Sequence, residues 1–135
     1  STKQTVKRLR RMALNPILLP LINRLCMKQA KRWGSEKTIF ALDGGDITHV
    51  YGNKFESISR VKDGSSGKIV NGYNLNQVTG YDTEKKITFP ILLDLYSTVR
   101  KGFKSANKEA WKLVRETVKT FGTAGLWVMD RGYDN

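Results

Sequence analysis

The sequence predicts an α/β domain on a mixed sheet, preceded by a basic helical segment. Three observations carry this. Two short apolar runs, Thr38 to Leu42 and Thr123 to Met129, read as buried strands. Between them, Lys68 to Thr79 and Lys86 to Tyr96 read as two strands of a hairpin, joined by the turn-rich Gly80-Tyr81-Asp82-Thr83-Glu84-Lys85. A stretch of helical period then separates the hairpin from the last run. This order lets the final strand return beside the first in parallel, through a right-handed crossover.

Taken in order, Thr2 to Leu14 is helix-compatible, with Val6, Leu9 and Ala13 on one side. Asn15-Pro16 breaks it, because the residue before proline avoids the helical region. A second helix is expected from about Ile17 to Trp33, with Leu18, Leu21, Ile22 and Leu25 at helical spacing. Pro20 falls in its first turn, where a missing N–H costs little, and Gly34-Ser35 ends it. Phe55 to Val61 suits a short extended piece, and Asp63-Gly64-Ser65-Ser66-Gly67 a turn. In the second hairpin strand Ile87, Phe89, Ile91, Leu93 and Leu95 alternate with the remaining residues, and Pro90 predicts a bulge or a missing ladder bond. Ser105 is the expected N-cap of a helix that places Ala110, Trp111, Val114, Val118 and Phe121 on its core face, with Gly122 as its stop.

Composition narrows the function classes. A chain of 135 residues with 39% hydrophobic content fills one ordinary domain with a packed core. The single cysteine, Cys26, forms no internal disulfide and reads as an inert core thiol. No apolar run reaches the roughly 18 to 20 residues of a membrane span, so a cytoplasmic protein with no membrane partner is expected. The net charge is +12, from 24 Lys and Arg against 12 Asp and Glu. Residues 1 to 33 hold nine of those basic residues and no acid. Such asymmetry favours a polyanion, and phosphate neutralisation is the usual source of sequence-independent affinity for nucleic acid. The division expected is 1–34, a basic helical segment, and 35–135, the sheet domain. The start at Ser and the end five residues past Asp130 suggest a piece of a longer chain.

Two aspartates carry the chemistry. Ile39-Phe40-Ala41-Leu42-Asp43 and Leu126-Trp127-Val128-Met129-Asp130 each end an apolar run in a carboxylate. Adjacent parallel strands would bring Asp43 and Asp130 to one end of the sheet. Two hard oxygen donors there suit Mg²⁺, which takes a few carboxylates plus water and phosphate oxygens. Asp46 is the alternative to Asp43. His49 has no Cys or second His with it and reads as a loop residue.

Four segments in this order resemble the N-terminal half of the catalytic domain of the DDE transposases of insertion sequences. They are Ala41-Leu42-Asp43-Gly44-Gly45-Asp46-Ile47; the pair Tyr51 to Glu56 and Val61 to Ser65; Asn71-Gly72-Tyr73-Asn74-Leu75; and Val128-Met129-Asp130-Arg131-Gly132-Tyr133. The resemblance covers about residues 36 to 135 and implies an incomplete ribonuclease H-like mixed sheet. It implies two-metal phosphoryl transfer that nicks and joins DNA ends at a mobile element, with Mg²⁺ ions roughly 3.5 to 4 Å apart and Mn²⁺ as a substitute. Asp43 would bridge the two metals and Asp130 would bind one. The third acid of the family, a later Glu, has no counterpart here, so the chain alone is expected to bind metal weakly and not to catalyse.

The partners implied are double-stranded DNA at the element ends and a second copy of the chain, in a prokaryotic, nucleoid-associated setting. Lys7, Arg8, Arg10, Arg11, Lys54 and Arg131 are the candidate DNA contacts; Arg131 either steadies the phosphodiester or offsets carboxylate repulsion. Two rivals stand beside this. One is a non-catalytic, DNA-binding remnant of a transposase. The other is an actin-like or sugar-kinase-like phosphotransferase, suggested by Asp43-Gly44-Gly45. It lacks the Ser or Thr expected after the glycines and explains neither Asp130-Arg131-Gly132-Tyr133 nor the basic N-terminus.

Overall fold

The computed structural model describes Gln4 and residues 16–133. The helix expected over Thr2 to Leu14 lies outside the described residues, apart from Gln4. Helix α1, Leu18–Trp33, starts with Pro20 in its first turn and carries Lys31 and Arg32 in its last, where cations oppose the helix dipole. It ends where the Gly34 N–H donates to the Ala30 carbonyl at 2.7 Å. The helix packs on the sheet through Asn23, Met27 and Ala30. Ala30 is fully buried and Met27 touches the core. The Asn23 amide bonds both backbone groups of Leu93, at 2.7 and 2.9 Å. Of the apolar residues at helical spacing, Leu21, Ile22 and Leu25 are exposed. A small residue at the contact lets the helix backbone approach the sheet, and that sets the rotation.

The sheet of the described residues has five strands: β1 (Thr38–Thr48), β2 (Ser59–Lys62), β3 (Ile69–Asp82), β4 (Ile87–Tyr96) and β5 (Leu126–Met129). β1 and β3 run antiparallel from Thr38↔Asp82 to Thr48↔Gly72. The far edge of β3 carries β2 at its start and β4 along the rest. β5 pairs with the other edge of β1 in parallel, from Ile39↔Leu126 to Leu42↔Met129. The parallel return read from the order of elements is therefore present.

β1 does not stop at Leu42 as expected. Gly44, Gly45 and Asp46 continue the ladder opposite Asn76, Leu75 and Asn74. β2 covers only the end of the extended piece expected over Phe55 to Val61, and β5 is shorter than the run from Thr123. Gly125 delays it: its φ is +100° and a Cβ there would lie 2.6 Å from Phe40 Cε2, so the chain crosses Phe40 before it can pair.

The bulge suggested by Pro90 is present. Thr79 pairs with Pro90 and Val78 with Leu92, so Ile91 is the extra residue. It reverses the alternation expected for β4. Phe89 and Ile91 are buried before it; after it Leu95 is exposed and Tyr96 buried.

Helix α2, Ala106–Phe121, begins at Ser105, whose side chain accepts the Lys108 N–H at 3.2 Å, and stops at Gly122 with φ +75°. Its buried face is Glu109, Ala110, Leu113, Val114 and Thr117. Trp111, expected in the core, is 47% exposed. The face is turned toward Glu109, which Arg100 (2.8 Å) and Lys112 hold as an ion cluster. Burial opposes its ionisation, but the hydrogen bonds and charges of Lys112 and Arg100 outweigh that and lower its pKa.

Both helices cover one face of the sheet, and the core lies between. Phe40, Leu42, Val78, Phe89 and Ile91 from the sheet meet Ala30, Ala110, Leu113 and Val114 from the helices. Half-buried Phe121 and Trp127 pack against Phe40, with ring centroids 5.3 and 5.1 Å away.

Candidate active site at the carboxyl ends of β1 and β5

Parallel pairing fixes where the carboxylates go. The last shared register is Leu42↔Met129, so Asp43 and Asp130 are the next residues on two neighbouring strands. Adjacent backbones in a sheet are about 4.8 Å apart. Both side chains are exposed. Asp43 alternates onto the sheet face away from the helices, opposite Gln77; Asp130 follows the end of β5. Asp46 lies further along β1 and is half-buried. It accepts the Gly64 N–H at 3.4 Å, which ties it to the Asp63 turn.

The short 3-10 turn Arg131–Tyr133 then folds Tyr133 back over β1. The Tyr133 hydroxyl donates to Asn76 Oδ1 at 3.0 Å. A Cβ on Gly44 would lie 2.6 Å from that hydroxyl, so only glycine leaves room for the ring. Burial pushes the Tyr133 pKa up to about 12, helped by Tyr96, Asp43 and Asp130. At neutral pH the hydroxyl keeps its proton and acts as a donor, not as a base.

Beside Tyr133 opens a cleft of about 270 Å³. Its walls include Gly44 and Gly45 of β1, Asn74 and Asn76 of β3, Ala106 and Asn107 of α2, Asp130 and Tyr133. α2 leads into β5 from the opposite direction, so its N-terminus sits at the same end of the sheet as the carboxyl end of β5. Ligands of open α/β sheets bind outside the carboxyl ends of the strands.

Among the described residues no group of three or more His, Cys, Asp and Glu is placed to hold a metal ion. The donor set at Asp43 and Asp130 is two carboxylates. Two such oxygen donors fit one part of a Mg²⁺ shell whose remaining positions are water or substrate oxygens. They do not by themselves make a closed cage.

The candidate DNA contacts are scattered. Lys7, Arg8, Arg10 and Arg11 lie outside the described residues. Arg131 is exposed, next in the chain to Asp130. Lys54 is in a separate exposed loop with Tyr51, whose ring is 96% exposed. That loop is tied to β3 by a 2.6 Å bond from Asn71 Nδ2 to Asn53 Oδ1. His49 packs against Phe55 and Tyr73, with centroids 5.0 and 6.2 Å away, in keeping with a loop residue. Cys26 is free and half-buried.

Asn74, Asn76 and the first turn of α2 were not legible as site residues. The one available signal was Asn-x-Asn on a strand, two amides at the period that points them to one face. Asn76 is 1% exposed, on the same face as the core residue Val78. No protein family, curated protein or solved structure matches this chain.

Proposed function

We propose that this chain supplies two carboxylates of a magnesium-dependent phosphoryl-transfer site that nicks and joins DNA ends, as in the insertion-sequence transposases it resembles. The observation that carries the reading is the parallel register of β1 and β5, which leaves Asp43 and Asp130 at consecutive positions beyond it. Bound there, Mg²⁺ would supply charge to a phosphate oxygen and an activated oxygen nucleophile. The protein's own part is positional. Asp43 and Asp130 hold the cation, and both stand on adjoining strands whose pairing sets their separation. Tyr133, protonated, holds Asn76 through its hydroxyl. The excess of 12 positive charges supports attraction of a DNA backbone, with Lys54 and Arg131 as candidate contacts and a homodimer as the family's usual assembly.

A second reading is a DNA-binding protein without catalysis, favoured by the lack of a third acid at the pair among the described residues. Mn²⁺ binding followed by electron paramagnetic resonance, on the chain and on Asp43→Asn and Asp130→Asn, tests the site. Each substitution is expected to weaken binding by about tenfold or more, one carboxylate being worth at least 1.4 kcal/mol. Unchanged Mn²⁺ binding in both variants would sink the two-aspartate site. Nicking of supercoiled plasmid by the chain, abolished in Asp43→Asn and Asp130→Asn, would exclude the second reading.

A further inference from the structure

Two side chains in the wall of the cleft beside Tyr133, Asn74 and Asn76, each carry an unsatisfied donor. Asn76 Nδ2 and Asn74 Nδ2 are buried from solvent and have no hydrogen-bond partner among the described residues. An orphaned buried donor is costly, and native proteins rarely carry two side by side without a use for them. Tyr133 bonds the carbonyl end of Asn76. Its hydroxyl occupies Oδ1, which leaves the NH₂ as the unpaired end.

The first turn of α2 forms another wall, at Ala106. A helix start presents N–H groups with no partner inside the helix, and the dipole makes that end positive. Ser105 Oγ takes the Lys108 N–H, which caps the helix from the side. The cleft therefore gathers hydrogen-bond donors and a positive helix end. Such donors suit an anionic oxygen ligand, and a phosphate best.

We propose that the cleft walled by Asn74, Asn76, Gly44 and the first turn of α2 is an anion subsite. It takes a phosphate group, with the two asparagine amides donating to its oxygens. For the proposed DNA chemistry this would be a phosphodiester held next to the metal carboxylates, with Asn74 and Asn76 as positioning residues. The inference rests on the metal assignment in one respect only. Asp130 lines the same cleft, and its charge repels an anion unless a cation or a neutral substitute offsets it.

That dependence shapes the test. In the ¹⁵N-labelled Asp43→Asn/Asp130→Asn variant both carboxylates become amides of the same shape, and no metal is needed. Inorganic phosphate titrated into it, without metal, is expected to shift the side-chain NH₂ resonances of Asn74 and Asn76 saturably. Adding Asn74→Leu should weaken the phosphate affinity by about tenfold, the loss of one bond to a charged group. Absence of any saturable shift at those two amides overturns the subsite, whatever Mn²⁺ does. Shifts at surface lysines with the two amides unmoved overturn it equally. The metal assignment is judged separately, by Mn²⁺ binding to the unsubstituted chain. Because the readout is on the amides themselves, the outcome does not hinge on Asn74→Leu remaining folded.

Discussion

The Asp63 carboxylate accepts from the Ser66 hydroxyl at 2.5 Å, the Ser65 hydroxyl at 2.7 Å and the Ser65 N–H at 3.0 Å. Hydrogen bonds of this kind favour the charged form. Ser66 first and Ser65 second bring the Asp63 pKa down from 3.8 to about 2. A lowered folded-state pKa means stability that is present above the unfolded value and lost as pH falls from 3.8 through about 2. Carboxyl NMR should find Asp63 titrating near 2, and Ser66→Ala should return it part of the way to 3.8; an unshifted Asp63 would remove this account of the turn. The turn itself was legible from Asp63-Gly64-Ser65-Ser66-Gly67, because its residues bond locally. The place of Asn76 was not, because its partner Tyr133 is 57 residues away along the chain. Asp43 and Asp130 lie between these cases. Their place at neighbouring strand ends was expected from strand order and crossover handedness, and β1 and β5 do pair in parallel.

Elements were legible where one local rule governs them. Ser105 and Gly122 bound α2 as their chemistry requires, and Pro90 marks the bulge in β4. What escaped was rotation. The apolar pattern of α2 admits two neighbouring faces, and the buried ion cluster at Glu109 selects the one that leaves Trp111 outside. The contrast predicts unequal costs. Leu113→Ala should lose about 2 to 5 kcal/mol by leaving a cavity, whereas Trp111→Ser should cost less than about 1 kcal/mol. Urea unfolding of both variants checks it; equal losses would restore the face read from spacing. In α1 the same ambiguity was resolved by Ala30 and by the Asn23 clasp on Leu93, neither of which registers in a hydrophobic pattern. The end of β1 was misplaced for another reason: Gly44 and Gly45 are poor strand formers, but β3 offers them a continuous partner.

At the scale of the whole molecule, stability is one-sided. Among the described residues both helices lie on one face of the sheet, while Leu126, Val128 and Ile47 on the other face are 62%, 51% and 38% exposed. Strands in parallel pairs are commonly covered on both faces. Leu126→Lys should therefore change unfolding free energy by less than about 0.5 kcal/mol, against about 3 to 5 kcal/mol for Phe40→Ala. A large loss at Leu126, measured by thermal or urea unfolding, would mean that this face is packed in solution.

One feature of β1 reaches further. Its pairing with β5 ends at Leu42, but the strand runs on to Thr48 against β3 alone. Between Asp43 and Thr48 every second amide thus points into the gap beside β5, where no strand among the described residues meets it. In deuterated buffer this stretch should label in an alternating pattern, fast toward the gap and slow toward β3. The ladder there is half closed, and its unpaired half borders the two carboxylates.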